Sequence, residues 1–273
     1  MNVKILRFKI EPYFFTKKLI SFFILEGSKN LEIIEISPNY VIFQCELFIR
    51  DTKEIIDRFK KNFPTIELVS EKELSMEEWK RLRLSKLEVG KFKFKPIFEK
   101  QENEERFIYL DTLFGAFGID NHPTTIICLE FIDKIEKNYE TAVDFGAGNG
   151  ILSLALSMIN IKKIIAIDIF FNYCLEIRQN CKINKISNIF ILNGNSMKIV
   201  KEVDLLVSNV PLSAFKDKNN SILQSKFKEC ILSGVKIENK DEFLEIIKTN
   251  QIEIKEFAEK EGWLGIKGVK TLN

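Results

Sequence analysis

The sequence contains one histidine, His122, among 273 residues, and none of its five cysteines forms a Cys-x-x-Cys pair. Zinc sites are built from clusters of these two residue types, so we expect no metal site. An odd cysteine count without paired spacing favours reduced thiols, and we therefore expect a cytoplasmic protein. The N-terminal stretch MNVKILRFKIEPYFF also lacks the apolar core and small-residue cleavage site of a signal peptide.

Long apolar runs and an excess of charge of one sign are absent as well. No apolar stretch approaches the roughly 20 residues that a membrane-spanning helix needs, so we expect no membrane partner. Basic and acidic side chains number 41 and 39, which leaves a net charge of +2 and predicts no stable binding to nucleic acid. The 45% of residues that are hydrophobic are enough for one large core or two modest ones.

Residues 1–70 alternate between short strand patterns and short helix patterns. Their order is strand, helix, two strands around Pro38-Asn39, a helix with Asp51 as candidate N-cap, and a final strand. This βαββαβ order predicts a small ferredoxin-like α+β domain. Residues 71–105 are dense in charge and are interpreted as a linker with a short helix and an edge strand. The alternative is a basic surface for a ribonucleoprotein or an acidic partner.

Residues 106–273 alternate nearly all-apolar strands with helices. This pattern predicts an α/β fold with a parallel sheet that is covered on both faces. The closing segments IEIKEFAEK and GWLGIKG predict an antiparallel pair of strands at one edge of that sheet. In such a fold the ligand lies beyond the carboxyl ends of the strands, so the residues that follow each strand are the candidates for a site.

The segment TAVDFGAGNGILSLAL carries the most informative motif. Its strand ends at Asp144, and a helix begins after three glycines at alternate positions, which are Gly146, Gly148 and Gly150. Glycines there let the backbone pass close to a ligand. The spacing differs from the G-x-G-x-x-G of dinucleotide sites, and a carboxylate at Asp144 would repel a pyrophosphate. The same carboxylate suits the α-ammonium and sulfonium groups of S-adenosylmethionine, which is the predicted cofactor.

Three more strands end in polar residues. Asp168 ends the next strand, where folds of this type place a carboxylate that accepts from ribose hydroxyls. Asn195 follows the third strand, and its amide oxygen is able to accept from the adenine amine. Asn209 ends the fourth strand, where its amide oxygen would orient a neutral nucleophile in line with the methyl group. For both asparagines the alternative is a turn-forming role.

Four segments, DFGAGNGIL, the Asp168 strand, SNVPL and FGIDNHPTT, together resemble the ribosomal protein L11 methyltransferase family (PrmA type). The family signature FGTGxHPTT is matched at six positions: Phe117, Gly118, His122, Pro123, Thr124 and Thr125. The resemblance implies a seven-stranded, Rossmann-like class I methyltransferase sheet preceded by a small substrate-recognition domain. It implies methylation of lysine ε-amino or N-terminal α-amino groups of a large-subunit ribosomal protein.

The resemblance also implies roles for single residues. Thr124 would contact S-adenosylmethionine, and Asn209 would contact both the cofactor and the substrate amine. Phe117 and His122 would shape the loop over the crevice. The chain departs from the family pattern at five positions: Ile119, Asp120, Phe170, Asn195 and Pro211.

Two alternatives to protein methylation stay open at this point. One is a methyltransferase that acts on RNA or on another protein, and the other is a non-catalytic, degenerate methyltransferase fold associated with ribosomes. We expect a monomer with three segments: a recognition domain over 1–70, a linker over 71–105 and a methyltransferase domain over 106–273.

Overall fold

In the computed structural model, the described residues are 2–16, 18–19, 22–23, 26, 28–47, 52–101, 107–112, 121–198 and 200–271. The chain divides into two compact units, Met1–Arg83 and Leu84–Asn273. The division thus falls inside the segment 71–105 that the sequence predicted as a linker, and parts of that segment belong to each unit.

The N-terminal unit is built on a four-stranded antiparallel sheet with the order β2-β3-β1-β4. Its elements are β1 (Asn2–Ile10), a short 3-10 turn (Pro12–Phe14), β2 (Lys29–Ile36), β3 (Val41–Leu47), α1 (Thr52–Asn62), β4 (Glu67–Ser75) and α2 (Met76–Arg83). About half of the helix predicted between β1 and β2 lies on residues outside the described part of the chain, and Asp51 lies outside it as well. The ferredoxin-like assignment of this unit therefore stays a prediction.

Aromatic side chains fill the core of the N-terminal unit. Alternation along β1 buries Leu6 and Phe8 on one face of the sheet. Helical spacing buries Ile55 and Phe59 of α1 against that face. The rings of Phe8 and Phe59 meet edge to face at 5.5 Å, a geometry that aromatic pairs prefer.

The first part of the charged segment after residue 70 is folded, and two sets of polar contacts hold it. β4 continues to Ser75, where a reciprocal capping box starts α2. The Ser75 hydroxyl accepts from the Glu78 N–H at 3.2 Å, and the Glu78 carboxylate accepts from the Ser75 N–H at 2.9 Å. One turn later, Trp79 is buried and donates from Nε1 to Glu46 at 2.9 Å, and Arg83 pairs with the same carboxylate.

The C-terminal unit contains a three-stranded sheet and a seven-stranded sheet. The small sheet has the order β5-β6-β7, with β5 (Leu87–Val89), β6 (Phe92–Pro96) and β7 (Ile108–Leu110), and a 3-10 turn (Ile97–Glu99) follows β6. The large sheet has the order β10-β9-β8-β11-β12-β14-β13. Its strands are β8 (Thr141–Phe145), β9 (Lys163–Asp168), β10 (Ile189–Asn193), β11 (Glu202–Asn209), β12 (Lys226–Lys236), β13 (Ile252–Lys260) and β14 (Trp263–Lys270). The helices are α3 (Pro123–Asp133), α4 (Ile151–Met158), α5 (Phe171–Ile183), α6 (Leu212–Lys216) and α7 (Lys240–Thr249), with a 3-10 turn (Ile237–Asn239) before α7.

Strands β8 to β12 of the large sheet pair in parallel, and β13 and β14 form the antiparallel pair predicted at one edge. Successive apolar residues of the parallel strands enter different apolar clusters. Ala142 belongs to the cluster that contains Ile127 of α3, whereas Val143 belongs to the cluster that contains Phe243 of α7. Both faces are therefore covered, which confirms the predicted α/β class. Among the described residues, no helix combines the length and apolarity required to cross a membrane.

Candidate active site

A cavity of about 650 Å³ opens at the carboxyl ends of the central parallel strands. Phe145, Asp168, Gly194 and Asn209, each at or just after the end of a different strand, contribute to its wall. Open α/β sheets bind their ligands at this edge, and the volume lies within the roughly 300–1,000 Å³ typical of small-molecule sites.

The glycine loop forms one wall of the cavity with its backbone. Gly146 and Gly148 line the cavity with φ angles of 76° and 58°, a region that other residues seldom adopt. A Cβ added to Gly146 would lie 2.3 Å from Cγ1 of Val210, so a side chain has no room there. The N–H groups of Gly146 and Ala147 both donate to the carbonyl of Ile167, which anchors the loop to the end of β9.

Asp168 presents a fixed carboxylate to the cavity. Its Oδ2 accepts from the Gly148 N–H at 2.9 Å and its Oδ1 accepts from the Phe170 N–H at 2.9 Å. Burial raises the pKa of Asp168 above its usual value, and the two N–H donors offset part of that rise. Because each carboxylate oxygen accepts more than one hydrogen bond, the side chain retains acceptor capacity for a ligand.

The side-chain oxygen of Asn209 is a hydrogen-bond acceptor to which no described residue donates. Its Oδ1 is buried and has no hydrogen-bond partner among the described residues, although Asn209 lines the cavity. Leaving a buried acceptor unsatisfied costs about 1–3 kcal/mol. A ligand with an N–H or O–H group directed at this atom would remove that cost.

His122 caps the helix that borders the cavity. It is the N-cap of α3, and its Nδ1 accepts from the Thr124 N–H at 3.3 Å and lies 2.8 Å from the Thr124 hydroxyl. The imidazole also packs edge to face against Trp263, with 4.7 Å between ring centroids. All three side chains line the cavity. The loop that His122 was predicted to shape lies on residues outside the described part of the chain, so that role stays a prediction.

Asp144 departs from its expected placement, because it does not lie among the residues lining the cavity. Phe145 faces the cavity, so strand alternation turns Asp144 to the opposite face of the sheet. There the Asp144 carboxylate accepts from the Ser153 hydroxyl of α4 at 2.6 Å. Burial raises the pKa of Asp144 to about 7. Gly150 is likewise not among the residues that line the cavity; it is the N-cap of α4, with a φ of 86°.

Comparison with known proteins identifies the family. The model of the family described as ribosomal protein L11 methyltransferase (PrmA) matches residues 29–271. The ribosomal protein L11 methyltransferase of Dictyoglomus thermophilum is 30% identical over 84% of this chain and 81% of its own length. That of Aquifex aeolicus is 28% identical over 94% and 97%. The chain belongs to the ribosomal protein L11 methyltransferase family.

A solved structure of the L11 methyltransferase family shows the same fold. The ribosomal protein L11 methylase of Lactobacillus delbrueckii subsp. bulgaricus aligns with a TM-score of 0.58 and 23% identity, over 66% of this chain and 96% of that chain. Family membership makes this chain a methyltransferase with a Rossmann-like sheet.

In this L11 methyltransferase family member, most of the residues selected from sequence converge on the cavity. Those that line it are His122, Thr124, Gly146, Gly148, Asp168, Asn195 and Asn209. Phe117 lies outside the described residues, as do Ile119 and Asp120. Among the described residues, no group of three or more His, Cys, Asp or Glu side chains is arranged to hold a metal ion.

An aromatic pair stands where the family pattern has an acid two residues after Asp168. Phe170 lines the cavity, remains 45% exposed and packs against Tyr173 with 5.1 Å between ring centroids. That position of the cavity wall is therefore aromatic in this chain.

Gly234 is a cavity residue that the sequence analysis missed. It lies within β12 with a φ of 93°, at the register shift between Ser233 and Val235. A Cβ there would lie 2.3 Å from the carbonyl oxygen of Val210. A glycine inside an otherwise apolar strand indicates a bulge or a close backbone approach. The sequence Ser233-Gly234-Val235 therefore did contain a signal for this feature.

Replacing His122 by alanine removes the N-cap of α3, and losing an N-cap costs about 1 kcal/mol of helix stability. Because the start of α3 borders the cavity, we expect this cost to weaken binding of the methyl donor and to raise its KM about fivefold. The pH dependence of the rate should stay unchanged, since the ring caps α3 instead of transferring protons. His122→Asn, which retains an acceptor for the Thr124 N–H, is the control and should restore most of the affinity. Loss of turnover with donor binding intact would instead point to a chemical role.

Proposed function

We propose that this chain transfers methyl groups from S-adenosylmethionine to lysine ε-amino or N-terminal α-amino groups of ribosomal protein L11. The names of its relatives and the family model support this substrate. The observation that carries the proposal is the unpaired, buried amide oxygen of Asn209 in a cavity that the glycine loop and Asp168 also line. The N-terminal unit is proposed as the substrate-recognition domain, as the family resemblance implies.

The residues around the cavity fit S-adenosylmethionine. The side chains and backbone proposed to hold it are those of Thr124, Gly146, Gly148, Asp168 and Asn195. The glycine backbone permits close approach, and the remaining acceptor sites of Asp168 match vicinal ribose hydroxyls. When bound, the cofactor supplies a methyl group that its sulfonium makes electrophilic.

The proposed task of Asn209 is to orient the acceptor amine. A neutral primary amine has two N–H groups and one lone pair. Accepting one N–H at Oδ1 of Asn209 satisfies the buried amide oxygen and restricts the directions in which the lone pair can point. Methyl transfer is an in-line displacement, so this restriction contributes to the rate through positioning.

The rate of methyl transfer is expected to rise with pH. A lysine amine has a reference pKa of about 10.4 and attacks only when neutral, so the rate should increase about tenfold per pH unit well below that value. Single-turnover rates from pH 7 to 10 measure this effect. The affinity for S-adenosylhomocysteine over the same range is the control for changes in the protein. A flat profile with chemistry rate-limiting would contradict amine methylation.

The identity of the substrate is tested by finding where a labelled methyl group is incorporated. Unmethylated large ribosomal subunits and free protein L11 are incubated with a labelled methyl donor, and mass spectrometry then locates the methyl groups. Label on lysine or α-amino nitrogens of L11 supports the proposal. Label in RNA alone would reassign the substrate, and absence of label despite cofactor binding would favour a non-catalytic role.

A further inference from the structure

One face of α5, continued by its C-cap residue Asn184, holds an extended segment of the chain with polar side chains. Asn184 accepts from the Tyr109 N–H at 2.8 Å and donates to the Tyr109 carbonyl at 2.7 Å. One helical turn earlier, Asn180 accepts from the Asp111 N–H at 2.8 Å and donates to the Asp111 carbonyl at 3.2 Å. A further turn earlier, Glu176 accepts from the hydroxyl of Thr112 at 3.0 Å.

Helix and strand geometry explain why this pairing works. Four residues of a helix advance about 6.0 Å, and two residues of an extended chain advance about 6.6–6.8 Å. Amides on successive turns of α5 therefore meet alternate residues of the segment 109–112. Each amide side chain offers one acceptor and a donor, as the peptide group of a neighbouring strand would.

Asn180 differs from Asn184 because it also reaches the glycine loop. Its Nδ2 donates a second hydrogen bond, at 3.0 Å, to the backbone carbonyl of Asn149, which lies between Gly148 and Gly150. Asn180 is fully buried, so both protons of its amide are used inside the protein. Asn184 makes its further contact with a backbone carbonyl of its own helix, that of Asn180.

The glycine loop is thereby held from two sides. On the cavity side, the Gly148 N–H donates to Asp168. On the rear side, the Asn149 carbonyl accepts from Asn180, which directs that peptide group away from the cavity. Without the rear contact, the carbonyl would be buried without a donor, or the peptide would rotate and alter the φ angles of the adjoining glycines.

We propose that Asn180 is a positioning residue that sets the glycine loop for cofactor binding and joins it to residues 109–112. This inference rests on the proposed function, since it assumes that the loop binds S-adenosylmethionine. Asn180 acts through the backbone of Asn149, and it does not belong to the cavity lining.

The test compares N180D with N184D. N180D keeps an acceptor for the Asp111 N–H but removes the donors to the carbonyls of Asp111 and Asn149. N184D likewise removes the donors to the carbonyls of Tyr109 and Asn180, but it does not touch the glycine loop. For N180D we expect affinity for S-adenosylhomocysteine, measured by calorimetry, to fall about tenfold. The KM for the methyl donor should rise by a similar factor while kcat at saturation is retained. For N184D we expect both values to stay within about twofold of wild type.

The outcomes separate this inference from the proposed function. A wild-type protein that does not bind S-adenosylhomocysteine contradicts the proposed function itself. Wild-type affinity in folded N180D, or equal loss in N184D, overturns only the role of Asn180. If N180D does not fold, N180A and N184A replace the pair and test the same contrast without a buried charge. Failure of both residue-180 variants to fold would make Asn180 a general anchor of the fold and overturn the specific role.

Discussion

Replacing Asp168 by alanine is expected to lower the affinity for S-adenosylmethionine about a hundredfold. Hydrogen bonds to a charged acceptor contribute about 1.5–3 kcal/mol each, and a loss near 3 kcal/mol corresponds to that factor. The substitution also removes the acceptor for the Gly148 N–H, so the loop loses its anchor on the cavity side. Calorimetric titration with S-adenosylmethionine and with S-adenosylhomocysteine measures the effect.

Asp204 provides a matched control at the other end of the parallel strands, near the start of β11. Its carboxylate accepts from the N–H groups of Glu140 and Thr141 at 2.9 and 3.0 Å, so it also binds two backbone donors. Asp204→Ala should reduce thermal stability but leave cofactor affinity within about twofold. Similar losses of affinity in both variants would assign the effect to general destabilisation and not to a contact between Asp168 and the cofactor.

The glycine loop at the end of β8 was predictable because local chemistry and fold geometry require the same residues there. An apolar strand, alternate glycines and an apolar helix can be recognised in TAVDFGAGNGILSLAL without any long-range information. The structure places Gly146 and Gly148 in the cavity wall with positive φ angles. Asp168 was predictable for the same reason, since it ends the next parallel strand and parallel strands end at a common edge.

The orientation of Asp144 could not be read from its motif. Successive strand residues face opposite sides, so the side that a strand-end acid faces depends on where its strand stops and the loop begins. β8 extends through Phe145, one residue beyond the predicted end, and this residue takes the position facing the cavity. Asp144 is consequently directed toward Ser153 behind the loop.

Contacts between residues far apart in the sequence were even harder to predict. Asn180 and Asp111 are 69 residues apart, and nothing in the local pattern of either segment indicates that an amide will pair with a backbone group. The same applies to Trp79 and Glu46, whose hydrogen bond helps to order a helix in a segment predicted as a linker. Most described side chains of that segment are exposed, but Trp79 is buried and α2 belongs to the N-terminal unit.

Replacing Asn209 by alanine is expected to lower kcat about a hundredfold while the affinity for S-adenosylhomocysteine falls less than tenfold. The amide oxygen is proposed to hold the attacking amine in line with the methyl group, and precise placement of reacting groups commonly changes rates by about this factor. Single-turnover measurements at saturating donor, together with calorimetry on the same samples, separate the chemical step from binding. Asn188→Ala is the control, because that amide lies just before β10, at the amino ends of the parallel strands. There it accepts from Ser157 and donates to the carbonyl of Ile161.

The pH dependence of the Asn209→Ala variant tests the proposed role more closely. An amide oxygen orients the neutral amine but does not remove its proton. The rate of the variant should therefore rise with pH with the same slope as wild type, but it should be lower at every pH. A change in the slope of the profile would mean that Asn209 influences deprotonation of the substrate. Cofactor affinity that falls as steeply as kcat would make Asn209 a cofactor contact first, and its unpaired oxygen would then be matched by a donor on S-adenosylmethionine instead of by the amine.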